Sequence, residues 1–145
     1  MNAPPERRTA VREWLALADA DHDAAKHLQS ISDEKLRYII GFHVQQAIEK
    51  WIKAILTEEG IDFPRTHDLT ALLSLSDVEF QSPISQADLE RISDYAVTTR
   101  YPMPDDPPSE ADITDAVISA AAFASAMRKH LAHYFPLAAA PPRKP

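Results

Sequence analysis

The placement of glycine and proline constrains this chain more than any other feature. Only two glycines occur in 145 residues, so the chain lacks the usual material for β-hairpin turns, a phosphate-binding P-loop or a glycine-rich dinucleotide-binding turn. The twelve prolines leave four long windows without proline, at 6–63, 65–82, 84–101 and 109–135. Because proline interrupts the interior of a helix, these windows are where helices can form. We therefore predict an all-α protein.

Capping signals divide the four windows into five helices. The first window breaks near Ser32, whose hydroxyl can cap a new helix. Gly60 closes that helix, because glycine tolerates the left-handed conformation of a helix end. Ser85 and Ser109 each precede an aspartate by three residues, as in a capping box. We predict helices at about 7–29 and 33–59, a short helix that begins at Thr66, and two more that begin at Ser85 and Ser109.

Apolar residues recur at the spacing of one helix face in the first, second and fifth predicted helices. Helices of this kind bury their apolar faces against each other. The expected architecture is an antiparallel up-and-down bundle of four long helices plus one short helix. We expect one domain at 1–135 and a disordered Pro/Ala-rich tail at 136–145. Gly41 lies inside the second helix, where we expect a packed helix to come close to its backbone.

Composition excludes several classes of site. The chain has 15 basic and 22 acidic residues and a net charge of −7, which argues against coating of nucleic acid by bulk charge and leaves a local basic face open. The absence of cysteine excludes disulfides, thiol nucleophiles, iron–sulfur clusters and Cys-ligated zinc. No apolar run is long enough to span a membrane, and no signal peptide is recognised. We expect a cytoplasmic protein that uses no metal or organic cofactor.

A polar stripe on the second helix provides the clearest candidate binding residues. His43, Gln46, Lys50 and Lys53 are spaced three, four and three apart, so they lie on one face. Donors and cations in this arrangement suit phosphates or a nucleobase. They equally suit pairing with acidic residues of neighbouring helices.

Three further candidates lie next to predicted helix ends. Arg65 and His67 lie at the N-terminus of the third helix, whose positive end suits an anion. The alternative there is that Asp68 caps the helix and forms a buried hydrogen bond with His67. Arg100 lies where the fourth helix must stop before Pro102, and a cation at that end also suits the helix dipole.

The remaining histidines have structural interpretations. His22 lies in the apolar stripe of the first helix, which indicates a buried, hydrogen-bonded core histidine. His130 and His133 have a spacing that would allow a shared metal ion. No carboxylate at helical spacing completes a ligand set, so we expect a solvated face there.

Three blocks of sequence resemble the HEPN domain family. They are FHVQQAIEKWIK at 42–53, GIDFPRTHDLTALL at 60–73 and YAVTTRYP at 95–102. The resemblance implies a compact helical bundle that usually forms a homodimer beside a small nucleotidyltransferase-like partner, as the toxin half of a toxin–antitoxin pair or its nucleotide-binding relative. Many members are metal-independent ribonucleases that use an arginine, four to six residues, and then a histidine. A tyrosine that the partner modifies often follows.

Two pairs match that nuclease motif, Arg37 with His43 and Arg128 with His133, and Tyr134 follows the second pair one residue earlier than usual. About one match is expected by chance in a chain of this composition. On a continuous helix, side chains five or six positions apart diverge by about 120–140°. Neither pair converges unless the helix breaks or a second protomer supplies one partner, so we interpret the motif as degenerate.

The leading hypothesis is a dimeric HEPN-type bundle that binds a nucleotide or RNA and acts with a nucleotidyltransferase-like partner. One alternative is a metal-independent endoribonuclease with Arg37, His43, Arg128 and His133 as candidate catalytic residues. Another is a non-catalytic dimeric adaptor. The predicted contacts of the leading hypothesis are His43, Gln46, Lys50, Lys53, Arg65, His67 and Arg100.

Overall fold

A computed structural model of the protein describes residues 3–77, 80–98 and 107–135. All regular structure within these residues is helical, which confirms the predicted all-α class with four long helices and one short helix. The predicted tail at 136–145 lies outside the described residues. The α-helices are α1 (Pro5–Ile31), α2 (Arg37–Glu58), α3 (Leu69–Leu73), α4 (Gln86–Thr98) and α5 (Glu110–His130), with 3₁₀ turns at Glu34–Leu36 and Ala132–Tyr134.

The central element is α2, because α1, α4 and α5 all pack against it. Twelve of its 22 residues are buried, and Trp51 of α2 stacks on Phe123 of α5 with 6.2 Å between ring centroids. A helix covered on three sides cannot turn all of its polar residues towards water. Gln45 and Glu49 are accordingly buried, and their polar atoms need partners inside the protein.

Neighbouring helices run in opposite directions around α2. The guanidinium of Arg7, at the start of α1, covers Gly60 just beyond the end of α2. Tyr95, near the end of α4, packs its ring on Gly41 near the start of α2, where an added Cβ would lie 2.9 Å from Tyr95 Cγ. The expected close approach of a packed helix at Gly41 is therefore confirmed, and the reason is an aromatic side chain.

Two of the predicted caps are confirmed. The Ser109 hydroxyl accepts from Asp112 N at 3.0 Å, and Asp112 Oδ2 accepts from Ser109 N at 3.2 Å. Asp88 N donates to the Ser85 hydroxyl at 3.1 Å. Gly60, as predicted, takes a left-handed conformation, with φ of 73°.

The predicted starts at Ser32 and Thr66 are wrong, because an aspartate further along the chain caps each segment instead. Ser32 has a left-handed φ of 58° and ends α1, while Asp33 accepts from Lys35 N at 3.0 Å. Asp68 accepts from Thr70 N at 3.1 Å, so α3 begins only after it. Within the described ranges, no helix has both the length and the apolar character that a membrane crossing requires.

Candidate functional site

His43 and Lys50 of α2 share one carboxylate, that of Asp21 on α1. His43 Nδ1 lies 2.9 Å from Asp21 Oδ1, and Lys50 Nζ donates to Asp21 Oδ2. The Asp21 side chain is 14% exposed and that of Lys50 is 20% exposed. Because a carboxylate only accepts hydrogen bonds, Nδ1 is the protonated nitrogen of His43. The Asp21 carboxylate thus fixes the orientation of both side chains.

A second and more deeply buried carboxylate, that of Glu49, organises the next part of the stripe. Glu49 is 3% exposed. Its Oε1 accepts from Gln45 Nε2 at 3.1 Å and lies 2.7 Å from His67 Nδ1, while its Oε2 accepts from Lys53 Nζ at 3.1 Å. Lys53 Nζ also lies 5.2 Å from the centre of the Trp14 ring, which favours a cation. The buried charge of Glu49 is therefore well satisfied.

These two carboxylates bring the predicted stripe and His67 of the following loop to one side of α2. Gln46 joins them through its Nε2, which donates to Gln45 Oε1 at 2.7 Å. Two lysines face two carboxylates, so the fixed charges balance. We call this set the paired-charge surface; its residues are Asp21, His43, Gln46, Glu49, Lys50, Lys53 and His67.

Asp21, Gln45 and Glu49 were missed in the sequence. Gln45 and Glu49 carry a signal, because they are four apart among the apolar residues of α2, which indicates a polar pair facing the interior. Asp21 carries no such signal, since its partners depend on the register between α1 and α2. Pairing with an acidic residue of a neighbouring helix, the alternative stated from the sequence, is found for His43 and Lys50. Lys53 pairs instead with Glu49 of α2 itself, and Gln46 bonds to Gln45.

In the loop before α3, Asp68 caps the helix, and the His67 side chain contacts α2 instead of Asp68. The pKa of Asp68 lies below its usual value because the Thr70 hydroxyl and the Ala71 amide donate to its carboxylate. His67 Nδ1 meets Glu49, so the predicted His67–Asp68 hydrogen bond is replaced by one to α2. Arg65 is exposed on the same loop. Arg100 lies outside the described residues.

The members of each Arg–His pair have different neighbours within the described chain. Arg37 lies beside the start of α5, in a small cavity that Glu110 also lines, whereas His43 is bound to Asp21 of α1. Arg128 and His133 are separated by the end of α5 at His130. Each has its own carboxylate: Arg128 Nη2 lies 3.7 Å from Asp19 Oδ2, and His133 Nε2 lies 3.3 Å from Glu58 Oε1.

Tyr134 forms a separate group with the end of α2. Its hydroxyl donates to Glu58, and Arg12 lies over its ring at 5.6 Å from the centroid. Burial and the hydrogen bond to Glu58 raise the pKa of Tyr134 to about 12. The phenol is therefore neutral at physiological pH and has a carboxylate in place to accept its proton.

His22 differs from His43 and His67, whose Nδ1 atoms meet carboxylates. Its ring lies edge-on to Trp51, with 5.3 Å between centroids. Nε2 is out of contact with solvent and has no hydrogen-bond partner in the described part of the chain, so the hydrogen-bonded core histidine predicted from the sequence is corrected for this atom. Burial lowers the pKa of His22, and Lys26 acts in the same direction. An unpaired buried nitrogen costs about 1–3 kcal/mol, which makes this position unusual.

Groups of three or more histidine, aspartate or glutamate side chains arranged to hold a metal ion are not found within residues 3–77, 80–98 and 107–135. Within the paired-charge surface, the atoms that a metal ion would need already have partners. Its two carboxylates and two histidine Nδ1 atoms bind each other and the lysines, which leaves these oxygens and nitrogens engaged.

The family model of the HEPN domain matches residues 11–130, which is most of the chain. The chain belongs to the HEPN domain family. A protein with the same fold is TT1696 from Thermus thermophilus, whose crystal structure has a TM-score of 0.67 to this chain at 21% identity, covering 83% of this chain and 98% of that one. At this identity the likeness is one of fold. No curated protein matches the chain.

Proposed function

We propose that this HEPN-domain protein binds a nucleotide or RNA segment without cleaving it, as a homodimer that works beside a nucleotidyltransferase-like partner in a toxin–antitoxin-like pair. The proposal rests on one observation above all, the gathering of four polar residues of α2 and His67 around two carboxylates. Family membership supports the partner and the dimer. The different neighbours of Arg37 and His43, and of Arg128 and His133, support binding over cleavage.

The paired-charge surface suits specific contacts more than bulk attraction. The Nδ1 atom of His43 is bonded to Asp21, so Nε2 is the nitrogen that this ring would present to a ligand. Lys50 and Lys53 each have three ammonium hydrogens and donate one to a carboxylate, which leaves donors for phosphate oxygens. Since lysines and carboxylates balance, a ligand gains only where its groups match these fixed positions. His67, Arg65 and Arg100 are proposed as further contacts.

Binding of a labelled single-stranded RNA and of ATP, measured with wild type and single variants, tests the proposal. Lys50→Met and His43→Phe keep the approximate size of each side chain and remove its polar contact, and each should weaken binding by about tenfold. Lys35→Met is the matched control, because Lys35 is exposed outside the paired-charge surface. Equal affinity in all four proteins, or no binding by wild type, would contradict the proposal. Circular dichroism confirms that each variant is folded.

A metal-independent endoribonuclease is the second candidate, and one observation favours it. The α5 helix ends at His130, between Arg128 and His133, so the continuous helix that would hold the two side chains apart is broken there. In such an enzyme His133 would act as general base on a ribose hydroxyl, and Arg128 would stabilise the charged phosphorane. Wild type should then cleave an RNA pool in EDTA, and Arg128→Ala and His133→Ala should not.

Arg37→Ala and His43→Ala complete that experiment, because they test the other Arg–His pair. Loss of cleavage only in these two variants would assign the activity to Arg37 and His43. The absence of cleavage by wild type would leave the binding role as the proposed function.

The nucleotidyltransferase-like partner of the proposed pair also predicts that a tyrosine of this chain is modified. Tyr134 fits that role, because Glu58 is bonded to its hydroxyl. Glu58 would accept the phenol proton as the oxygen bonds to the α-phosphate of a nucleoside triphosphate and pyrophosphate leaves. Protein isolated from its own cells should contain a fraction heavier by one or more nucleotidyl groups, and peptide mass spectrometry should place them on Tyr134. Modification at another residue would rule out this assignment.

A further inference from the structure

Three segments of the chain meet around the ammonium group of Lys53. Trp14 comes from α1, Lys53 from α2, and Phe63 from the loop between α2 and α3. Lys53 Nζ lies 5.2 Å from the centre of the Trp14 ring and 5.5 Å from that of Phe63. The two rings meet edge to face, with 6.2 Å between their centroids. Both cation–ring distances suit a cation–π contact. We call Trp14, Lys53 and Phe63 the aromatic clamp.

The cation of the aromatic clamp has little access to water. The Lys53 side chain is 15% exposed, and its Nζ donates to Glu49 Oε2 at 3.1 Å. The faces of the two rings provide part of the stabilisation that water gives to an exposed ammonium. An aliphatic side chain in place of Phe63 would fill space but would lack the negative face that attracts a cation. The ring of Phe63 therefore does more than bury apolar surface.

Phe63 also fixes the loop to the bundle ahead of His67. Its side chain packs against the core, whereas the next two residues are exposed. Pro64 favours an extended backbone at Phe63, because a residue before proline avoids helical geometry. Four residues after Phe63, the His67 carbonyl accepts from Gln45 Nε2 at 3.0 Å, and His67 Nδ1 lies 2.7 Å from Glu49 Oε1. The position of the His67 ring thus depends on where Phe63 attaches the chain.

One carboxylate joins the aromatic clamp to the histidine. Glu49 accepts from Lys53 through Oε2 and meets His67 through Oε1. Phe63 is therefore connected to His67 by two routes, along the loop and through the clamp. We propose that Phe63 is a positioning residue, which holds His67 against Glu49 and in place for the ligand. This inference rests on the proposed function, because the ligand contact of His67 belongs to it.

The test follows the histidine and the ligand separately. The ¹H and ¹⁵N resonances of the His67 imidazole, recorded without ligand and assigned by their absence from His67→Phe, report its bond to Glu49. Calorimetry with ATP and with single-stranded RNA gives the Kd. Phe63→Leu keeps an apolar side chain and removes the ring, while Phe63→Tyr keeps the ring. Phe135→Leu is the matched control, because the ring of Phe135 lies 5.0 Å from a different cation, that of Arg128.

Phe63→Leu should shift the Nδ1–H resonance of His67 and weaken binding by about fivefold. Phe63→Tyr and Phe135→Leu should leave both the resonance and the affinity as in wild type. In a protein that already carries His67→Phe, Phe63→Leu should cause no further loss of affinity. A residue that acts only through His67 has nothing left to position there.

Four results would overturn the inference. An unchanged His67 resonance in Phe63→Leu would show that the ring does not hold the histidine. Equal losses in Phe63→Leu and Phe63→Tyr would remove the role of the ring. A further loss of affinity in the His67→Phe protein would show that Phe63 acts elsewhere, and an unfolded Phe63→Leu by circular dichroism would make the ring a part of the core.

Failure of the proposed function gives a different result. Wild type would then bind neither ATP nor RNA. The His67 resonance of the unliganded protein would still decide whether Phe63 positions the ring.

Discussion

His67 and His22 lie on different sides of the bundle and differ in what their ring nitrogens meet. His67 Nδ1 is bonded to Glu49, a carboxylate that also accepts from Gln45 and Lys53. His22 Nε2 is buried and meets no hydrogen-bonding group within the described chain. Burial is thus compatible with a polar network when every member has a partner. Where a partner is missing, the buried nitrogen carries the cost of a hydrogen bond that is not made.

The largest expected effect comes from removing the best-satisfied carboxylate. Glu49→Ala leaves a lysine, a histidine and an amide without their common acceptor in a buried place, so the free energy of unfolding should fall by about 3–5 kcal/mol. Urea denaturation followed by circular dichroism measures it. Glu13→Ala, on the exposed side of α1, should change it by less than about 0.5 kcal/mol. A loss below about 1 kcal/mol for Glu49→Ala would contradict the claim that the network around this carboxylate stabilises the fold.

Asp21→Ala tests whether burial sets the cost. Asp21 has two partners, His43 and Lys50. Its side chain is 14% exposed, whereas that of Glu49 is 4% exposed. Water can partly replace it for His43 and Lys50, so we expect a loss of about 1–2 kcal/mol in the same denaturation experiment. A cost equal to that of Glu49→Ala would show that the number of partners matters more than burial.

Tyr134→Phe removes one hydroxyl–carboxylate bond and should cost about 1 kcal/mol at neutral pH. The folded pKa of about 12 lies above the ordinary value of 10.0, so this contribution is complete below pH 10 and is lost as the pH rises through about 12. Ultraviolet titration of tyrosinate should show a late step in wild type that Tyr134→Phe lacks. Titration curves of the two proteins that superimpose after scaling for the number of tyrosines would contradict the raised pKa of Tyr134.

The smallest expected effect concerns His22 and has the opposite sign. Burial, the larger cause, and Lys26 lower the folded pKa from 6.5, against Asp23 and Asp19, which raise it. Unfolding therefore takes up a proton, and the contribution of His22 to stability is present above pH 6.5 and lost as the pH falls towards the lowered folded pKa. Between pH 7 and pH 5, wild type should lose melting temperature relative to His22→Phe. A difference in melting temperature that stays constant between pH 7 and pH 5 would contradict the lowered pKa of His22.

Much of the fold was predictable because its signals are local. Windows without proline show where a helix can run. The serine–aspartate caps at Ser85 and Ser109 act between residues three positions apart. The errors at Ser32 and Thr66 are also local. In both, a nearby aspartate competes for the same amide groups, and its charge suits the positive helix end better than a hydroxyl does.

The candidate site was predictable only in part. Spacing placed His43, Gln46, Lys50 and Lys53 on one face, and they do lie together. Their carboxylate partners depend on the register of α1 against α2 and on the loop that returns His67 to Glu49. No pattern along the chain determines that register. The interpretation of His22 failed for a related reason, since the apolar stripe of α1 indicates burial but not the identity of the neighbour.

The central position of α2 has a consequence for how the molecule comes apart. Each long outer helix rests on α2, so none of them can detach without exposing the same apolar surface to water. Opening in parts is then nearly as costly as opening entirely, and the chain should behave as one cooperative unit. Amide hydrogens in the middle of α2 should exchange with deuterium only through such complete openings, at a rate that reports the global equilibrium.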